Sequence, residues 1–344
     1  MADHEASTHR KSYRECTEVS DLCPVEATVL GYTPNLGASL FFTVAFGILL
    51  LASIYLAIRK RTWTYSAGLT CGLLLETAGY VGRALMHKNP WNSGAFQLQI
   101  CAIILGPTFI CVSIYLTLKH VCLALNPALS RLRPKWFPII FLPADLSCLI
   151  VQAIGGGIAA AAGSTDKKLL DGGNDAIIAG VALQVVVLIW FGVMGVDYWL
   201  RAKKYMHSAE ATPAALSVWN DPKFRKFGFA VAGAFSCILA RCIYRIAEMA
   251  GGWGNHIMQD EISFNILDST LVLVATFLLV TFHPGIFFPR MCNGARGREE
   301  AEKADAAAAS SAPGSGGASA VEKSGDTSAT DAASVEPKPA TSAV

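Results

Sequence analysis

Charge is scarce in this chain. Only 16% of its 344 residues are Asp, Glu, Lys or Arg, 53% are hydrophobic, and the mean hydropathy is +0.41. A soluble domain rarely combines these values. Long apolar runs replace the missing charge, so the fold class is an all-α membrane protein. Other absences narrow the function. There is no G-x-x-x-x-G-K-[ST], which excludes an ATP-driven step of that kind in this chain. Neither H-E-x-x-H nor G-x-S-x-G occurs. The seven histidines are scattered, mostly near helix ends, so no metal and no cofactor is expected. The net charge of +2 suggests no nucleic-acid partner. The first ~36 residues lack the apolar core of a secretory signal, so the first apolar run is expected to serve as the targeting signal. No pairing of an acid with a nucleophile stands out, and the chain reads as a non-enzyme.

Ten cysteines are present, most inside apolar runs, where a thiol acts as a small hydrophobe. Cys16 and Cys23 instead share the polar N-terminal arm. They form a disulfide if the arm faces an oxidising compartment, and are otherwise two unpaired thiols.

The apolar runs predict seven spans, at 37–58, 63–86, 96–119, 136–162, 176–200, 227–250 and 262–288. The expected organisation is an arm at 1–36, a seven-transmembrane helix bundle at 37–288 and a tail at 289–344. Pro107 should kink the third span. Residues 163–175 read as an acidic, glycine-rich loop. Gly155–Gly157 reads either as a close helix contact or as a frayed helix end. From about residue 291 the tail contains no aromatic residue, leucine or isoleucine, a composition expected to stay disordered. It is a solvated linker or a target for phosphorylation. Basic residues cluster at 59–61, 131–135 and 201–226, between alternate spans. This puts the N-terminus outside and the C-terminus in the cytosol.

The scarce charges fall where spanning helices should have none. Arg241, Arg245 and Glu248 lie within about 60° of one another on one helix, with Tyr244 beside them. A charge at mid-bilayer costs about 2.5–3.5 kcal/mol, so such a stripe must turn inward. Glu76, Tyr80 and Arg83 form a second stripe. Asp145 and Gln152 share a face of the fourth span, and Asp268 lies in the seventh. Two readings stay open for these groups. They pin helices together through ion pairs worth on average only ~0.6 kcal/mol, with Glu76 reaching Arg241 or Arg245. Alternatively, they mark a substrate path. Tyr115 supplies a further hydroxyl, and His283 is expected to meet headgroups at the cytosolic exit.

Several stretches together resemble the fungal lipid-translocating exporter family, also called aminocholesterol-resistance-like. They are Pro24–Ala27 with Gly31, Tyr32 and Pro34, then Glu76 to Arg83, Leu105-Gly-Pro107 with Tyr115, and Asp145 to Gln152 with Gly155–Gly157. Arg241 to Glu248 with Gly251-Gly, and Glu261, Asp268 and His283-Pro284, complete the set. The likeness covers about 24–288 and not the tail. It implies a seven-span protein with its N-terminus outside. Relatives are linked to export of sphingoid long-chain bases, phospholipid asymmetry, resistance to toxic amphiphiles and, in one branch, porphyrin movement.

The resulting expectation is an exporter or flippase of amphiphilic lipids at the plasma membrane or an endomembrane. Membrane lipids and amphiphilic small molecules are its partners. A cationic head would meet Glu76, Glu248 or Asp268. The alternative is a seven-helix sensor or receptor that alters lipid composition indirectly. An intramembrane enzyme is a third reading.

Overall fold

A computed structural model describes residues 16, 18–21, 23–28, 30–162, 167–209, 211–250 and 256–288. The proposed tail, the arm's first fifteen residues and the Gly251–Gly254 turn lie outside them. The described residues form helices without a β-strand. The long ones are α1 (Leu36–Lys60), α2 (Trp63–Lys88), α3 (Ser93–Leu125), α4 (Trp136–Ala162), α5 (Lys167–Met206) and α7 (Pro222–Ala250). A short α6 (Pro213–Asn220) precedes α7. The last segment is α8 (Glu261–Phe264), a π-helical turn at Asn265–Thr270, α9 (Leu271–Thr281) and α10 (Pro284–Phe287).

Helices are the only open-ended structure that satisfies every backbone group inside a bilayer. Six of these segments are long and apolar enough to cross one: α1, α3, α4, α5, α7 and Glu261–Phe287. The chain is an integral, multi-pass membrane protein. α2 has 26 residues but is more polar, carrying Glu76 and Arg83, and it packs between α1 and α3. Local signals start the helices. Asn35 and Asn92 cap α1 and α3 by accepting the Ala38 and Ala95 N–H groups at 3.2 and 3.1 Å.

α2 lies close against α3. A Cβ added at Gly72 would sit 2.8 Å from the Gly106 carbonyl, and one at Gly82 would sit 3.0 Å from that of Ala95. Small residues let membrane helices approach in this way. α4 pairs with α5 through Gly155 and Gly173, where an added Cβ at Gly155 would meet the Gly173 carbonyl at 2.7 Å. Gly155 is therefore a close-contact residue, while Gly156 and Gly157 face open space. The expected loop at 163–175 is corrected here. α5 begins at Lys167, and Gly173 in its second turn docks on α4, where an added Cβ would meet the Gly155 carbonyl at 2.8 Å. α6 also replaces part of what reads as a connecting loop, with Trp219 packed on Trp199 at 4.8 Å between ring centroids.

Alternation of the helices gathers the three basic clusters at one end of the bundle. The N-terminal arm occupies the other. There Cys16 and Cys23 are joined by a disulfide, with Cα atoms 5.9 Å apart. The Trp91 indole donates to the Cys23 carbonyl at 3.2 Å and holds this part of the arm down.

Candidate functional site

At the arm end the helices part around a cavity of about 810 Å³. Its walls are largely apolar, from Phe96, Ile100 and Ile104 on α3, Leu149 and Ala153 on α4, and Ile177 on α5. Gln97, Cys101, Ala153 and Gly157 line it and are also exposed on the bundle's flank, so it reaches the side of the protein between α3 and α4. Arg83, Gln99, Gln152, Arg245 and Glu248 supply the polar lining. Leu30, Tyr32 and Met258 close its outer mouth. Cavities of roughly 300–1,000 Å³ suit small-molecule ligands.

Three guanidinium–carboxylate pairs surround this space. At the mouth, Arg83 donates to Glu261 at 3.0 Å and to the Tyr32 hydroxyl at 2.8 Å. Its guanidinium also lies 4.5 Å from the centre of the Phe264 ring. Glu261 in turn accepts the Asn35 N–H at 2.8 Å, tying the arm to α8. Burial pushes the Tyr32 phenol above its ordinary pKa and so favours the neutral form, against the opposing pull of the Arg83 guanidinium. On the wall, Arg245 and Glu248 are in direct contact one turn apart, both buried. Deeper still, Arg241 donates from Nε to Asp268 at 2.8 Å.

Backbone irregularities position that deepest pair. Pro107 has no N–H, so the Ile103 carbonyl lacks its helical donor. The Arg241 guanidinium supplies one at 2.7 Å. Asp268 lies in the π turn, a feature that often marks functional positions. Glu76 completes the cluster. It is buried against α3 where Gly106 leaves room, since a Cβ there would come within 2.5 Å of Glu76 Oε1. Arg241, Asp268 and Arg245 are the charges acting on it, yet Oε1 has no hydrogen-bond partner among the described residues.

A family model described as RTA1 like protein matches residues 69–291. The chain belongs to the RTA1-like family. This is the lipid-translocating exporter family to which its motifs are similar. Among curated proteins of Saccharomyces cerevisiae (strain ATCC 204508 / S288c), it is 30% identical to the sphingoid long-chain base transporter RSB1 over 283 residues, covering 75% of this chain and 74% of that protein. It is 25% identical to protoporphyrin uptake protein 1 over 221 residues, covering 63% of this chain and 67% of that protein. It is 24% identical to the uncharacterized membrane protein YLR046C over 233 residues, with 67% and 80% covered. No solved structure matches.

The remaining candidates in this RTA1-like chain divide by depth. Gln152 lines the cavity and donates to Gln184 at 3.2 Å, which donates to Thr108 at 3.2 Å. Tyr80 is buried against Phe42 and Phe46, and its hydroxyl and that of Tyr244 have no partner among the described residues. Asp145 does not line the cavity and accepts the Tyr115 hydroxyl. His283 corrects its expected headgroup role. It is fully buried, with Tyr65 edge-on at 5.4 Å and Nε2 within 3.3 Å of Ser66. Its Nδ1 accepts the Gly285 N–H at 3.1 Å and caps α10, so the ring serves a packed helix start. Gln99, Gln184, Tyr32 and Glu261 are site residues that the charge stripes did not indicate. For Gln184 the signal was a lone amide inside an apolar run, and for Gln99 a pair of amides with Gln97 at the start of one.

Proposed function

We propose that this protein translocates amphiphilic lipids, as an exporter or flippase, with sphingoid long-chain bases as the substrate class. It works without an enzymatic step and in the plasma membrane. α2 is the seventh span, the N-terminus is outside, and the gathering of basic clusters at one end supports that orientation. Export of this kind would confer resistance to toxic amphiphiles.

The cavity carries this reading. It joins an apolar flank, where an alkyl chain can enter from the bilayer, to buried charge, where a polar head can settle. An ammonium head would take the place of Arg245 at Glu248, and Gln99 and Gln152 would accept from its amine or hydroxyls. Glu76, Arg241 and Asp268 form the charged floor behind it, with the Tyr80 and Tyr244 hydroxyls nearby. Arg83 holds the mouth. Similarity to the sphingoid long-chain base transporter RSB1 supports the substrate class.

The test is movement of labelled sphingoid base across vesicles containing the purified chain. Wild type should speed it at least tenfold over empty vesicles, and Glu248→Gln should remove most of the gain. A chain that binds the base and moves none would be a sensor. An unaltered flux in Glu248→Gln would end the assignment of the head site.

A further inference from the structure

Asp145 stands apart from the other acids around the bundle's interior. Glu248, Asp268 and Glu261 each face a guanidinium within 3.0 Å. Glu76 has no such bond but sits in the combined field of Arg241, Arg245 and Asp268. Changing the charge on any of these four would disturb a buried arginine, at considerable cost. Asp145 has no arginine or lysine bonded to it among the described residues. The Tyr115 hydroxyl donates to its Oδ2, and Oδ1 has no hydrogen-bond partner there. Cys111 on α3, Cys242 on α7 and Cys148 on its own helix are the other titratable groups acting with it. From α5 come Gln184 and Phe191, both uncharged. Its side chain is fully buried, about ten residues into α4 and hence near the middle of a span.

Its two sides differ. Toward the arm, Gln152, Gln184 and Thr108 form a hydrogen-bonded row that begins at the cavity. Thr108, Cys111 and Tyr115 then share one face of α3, three and four residues apart, and lead to the carboxyl. Toward the basic end the way is shut by rings. Phe191 lies 4.6 Å from Tyr115, 5.2 Å from Phe141 and 6.3 Å from Phe137, between ring centroids. Phe141 is one turn from Asp145 on that side.

We infer that Asp145 is a proton-exchange site, reached from the cavity along the polar row and gated toward the basic end by Phe137, Phe141 and Phe191. In the loading step the carboxylate takes a proton from a hydronium ion arriving through the cavity, leaving water and a neutral carboxyl. When the rings part, the proton passes to water on the other side and the carboxylate returns. No electrons move. Proton exchange stands on this geometry alone, while its coupling to lipid movement rests on the proposed translocation.

Three measurements on the purified full-length chain in vesicles test it. Infrared difference spectra between acid and neutral pH should show a protonated-carboxyl band that Asp145→Asn lacks while melting at the wild-type temperature. Flux of labelled sphingoid base should change at least tenfold with an imposed proton gradient in wild type, and be the same with and without it in Asp145→Asn. Phe141→Ala should leak protons several-fold faster than wild type in the absence of lipid substrate. Proton exchange is overturned if the band persists in Asp145→Asn or if Phe141→Ala leaks no faster than wild type, and its coupling to lipid movement is overturned if wild-type flux ignores the gradient or Asp145→Asn keeps the gradient response. Should wild type move no lipid at all, the translocation reading falls, and the infrared band and the proton leak decide whether Asp145 exchanges a proton.

Discussion

α3 has two faces built on opposite plans. Toward α2 it meets glycines, and the backbones come close enough that an added Cβ would strike a carbonyl. The Ser113 hydroxyl even donates to the Tyr65 carbonyl of α2 at 2.8 Å. Toward α4 the same helix presents Phe96, Ile100 and Ile104 to open volume. The glycines on α4 explain the difference. Gly155 is used against α5, while Gly156 and Gly157 leave the cavity side empty. Apolar side chains gain little from meeting one another in lipid, so close backbone fit rather than greasiness decides which helix pairs seal.

Arg241 sits where the two plans meet, reaching the α3 carbonyl that Pro107 strands and the acid in the π turn. It should give the largest effect. Arg241→Ala leaves Asp268 buried without its cation and Ile103 without a donor, a loss of about 3–5 kcal/mol. The expected readout in detergent is a chain that melts far below wild type or fails to elute as a single species. Arg241→Lys restores the charge but not both bonds, and should fall between the two. Wild-type melting of the alanine variant would mean that the pair does not hold the sealed and open faces together.

Two glycine substitutions separate the faces directly. Gly72→Leu drives a side chain into the Gly106 carbonyl and Ile110, and overpacking of this sort costs about 1–3 kcal/mol. At Gly156 an added Cβ would meet nothing within 4 Å and the residue lines the cavity, so Gly156→Leu should fill that space. Its melting temperature should match wild type while lipid flux falls at least tenfold. The contrast collapses if the two variants lose stability equally, or if Gly156→Leu transports normally.

The same contrast explains what the residues revealed beforehand. Apolar length was enough to mark six crossing helices, because the bilayer sets it, but not α2, which carries Glu76 and Arg83 and is more polar. Inward charge was legible too, since Arg241 and Glu248 cannot face lipid. The partners were not. Arg83 meets Glu261, 178 residues away, and Glu76, expected to reach Arg241 or Arg245, has an Oε1 with no partner among the described residues. Arg241 meets Asp268 across 27 residues. Such choices depend on helix rotation and depth, and a π turn or a proline-freed carbonyl shifts both. The start of α5 was misread because glycine signals a loop in water and a close contact between membrane helices. His283 was misread because position along the chain says little about burial.

The smallest expected effect concerns the mouth, where arm and bundle meet through Tyr32 and Arg83 at 2.8 Å. Tyr32→Phe removes one hydrogen bond, worth about 1 kcal/mol near neutral pH. Its pH dependence is more telling than its size. Burial raises the folded-state pKa of Tyr32 above its unfolded value of about 10, so folding favours the neutral phenol. That stabilisation is fully present below about pH 10 and is lost as pH rises through the folded value. Wild type should therefore exceed Tyr32→Phe by a constant margin at pH 7 to 9. The margin should then shrink by up to about 1.4 kcal/mol per pH unit above 10, followed by thermal melts of both chains in the same detergent. A margin that stays flat through pH 11 would show Tyr32 to be solvated, and the mouth to be open rather than held shut by the arm.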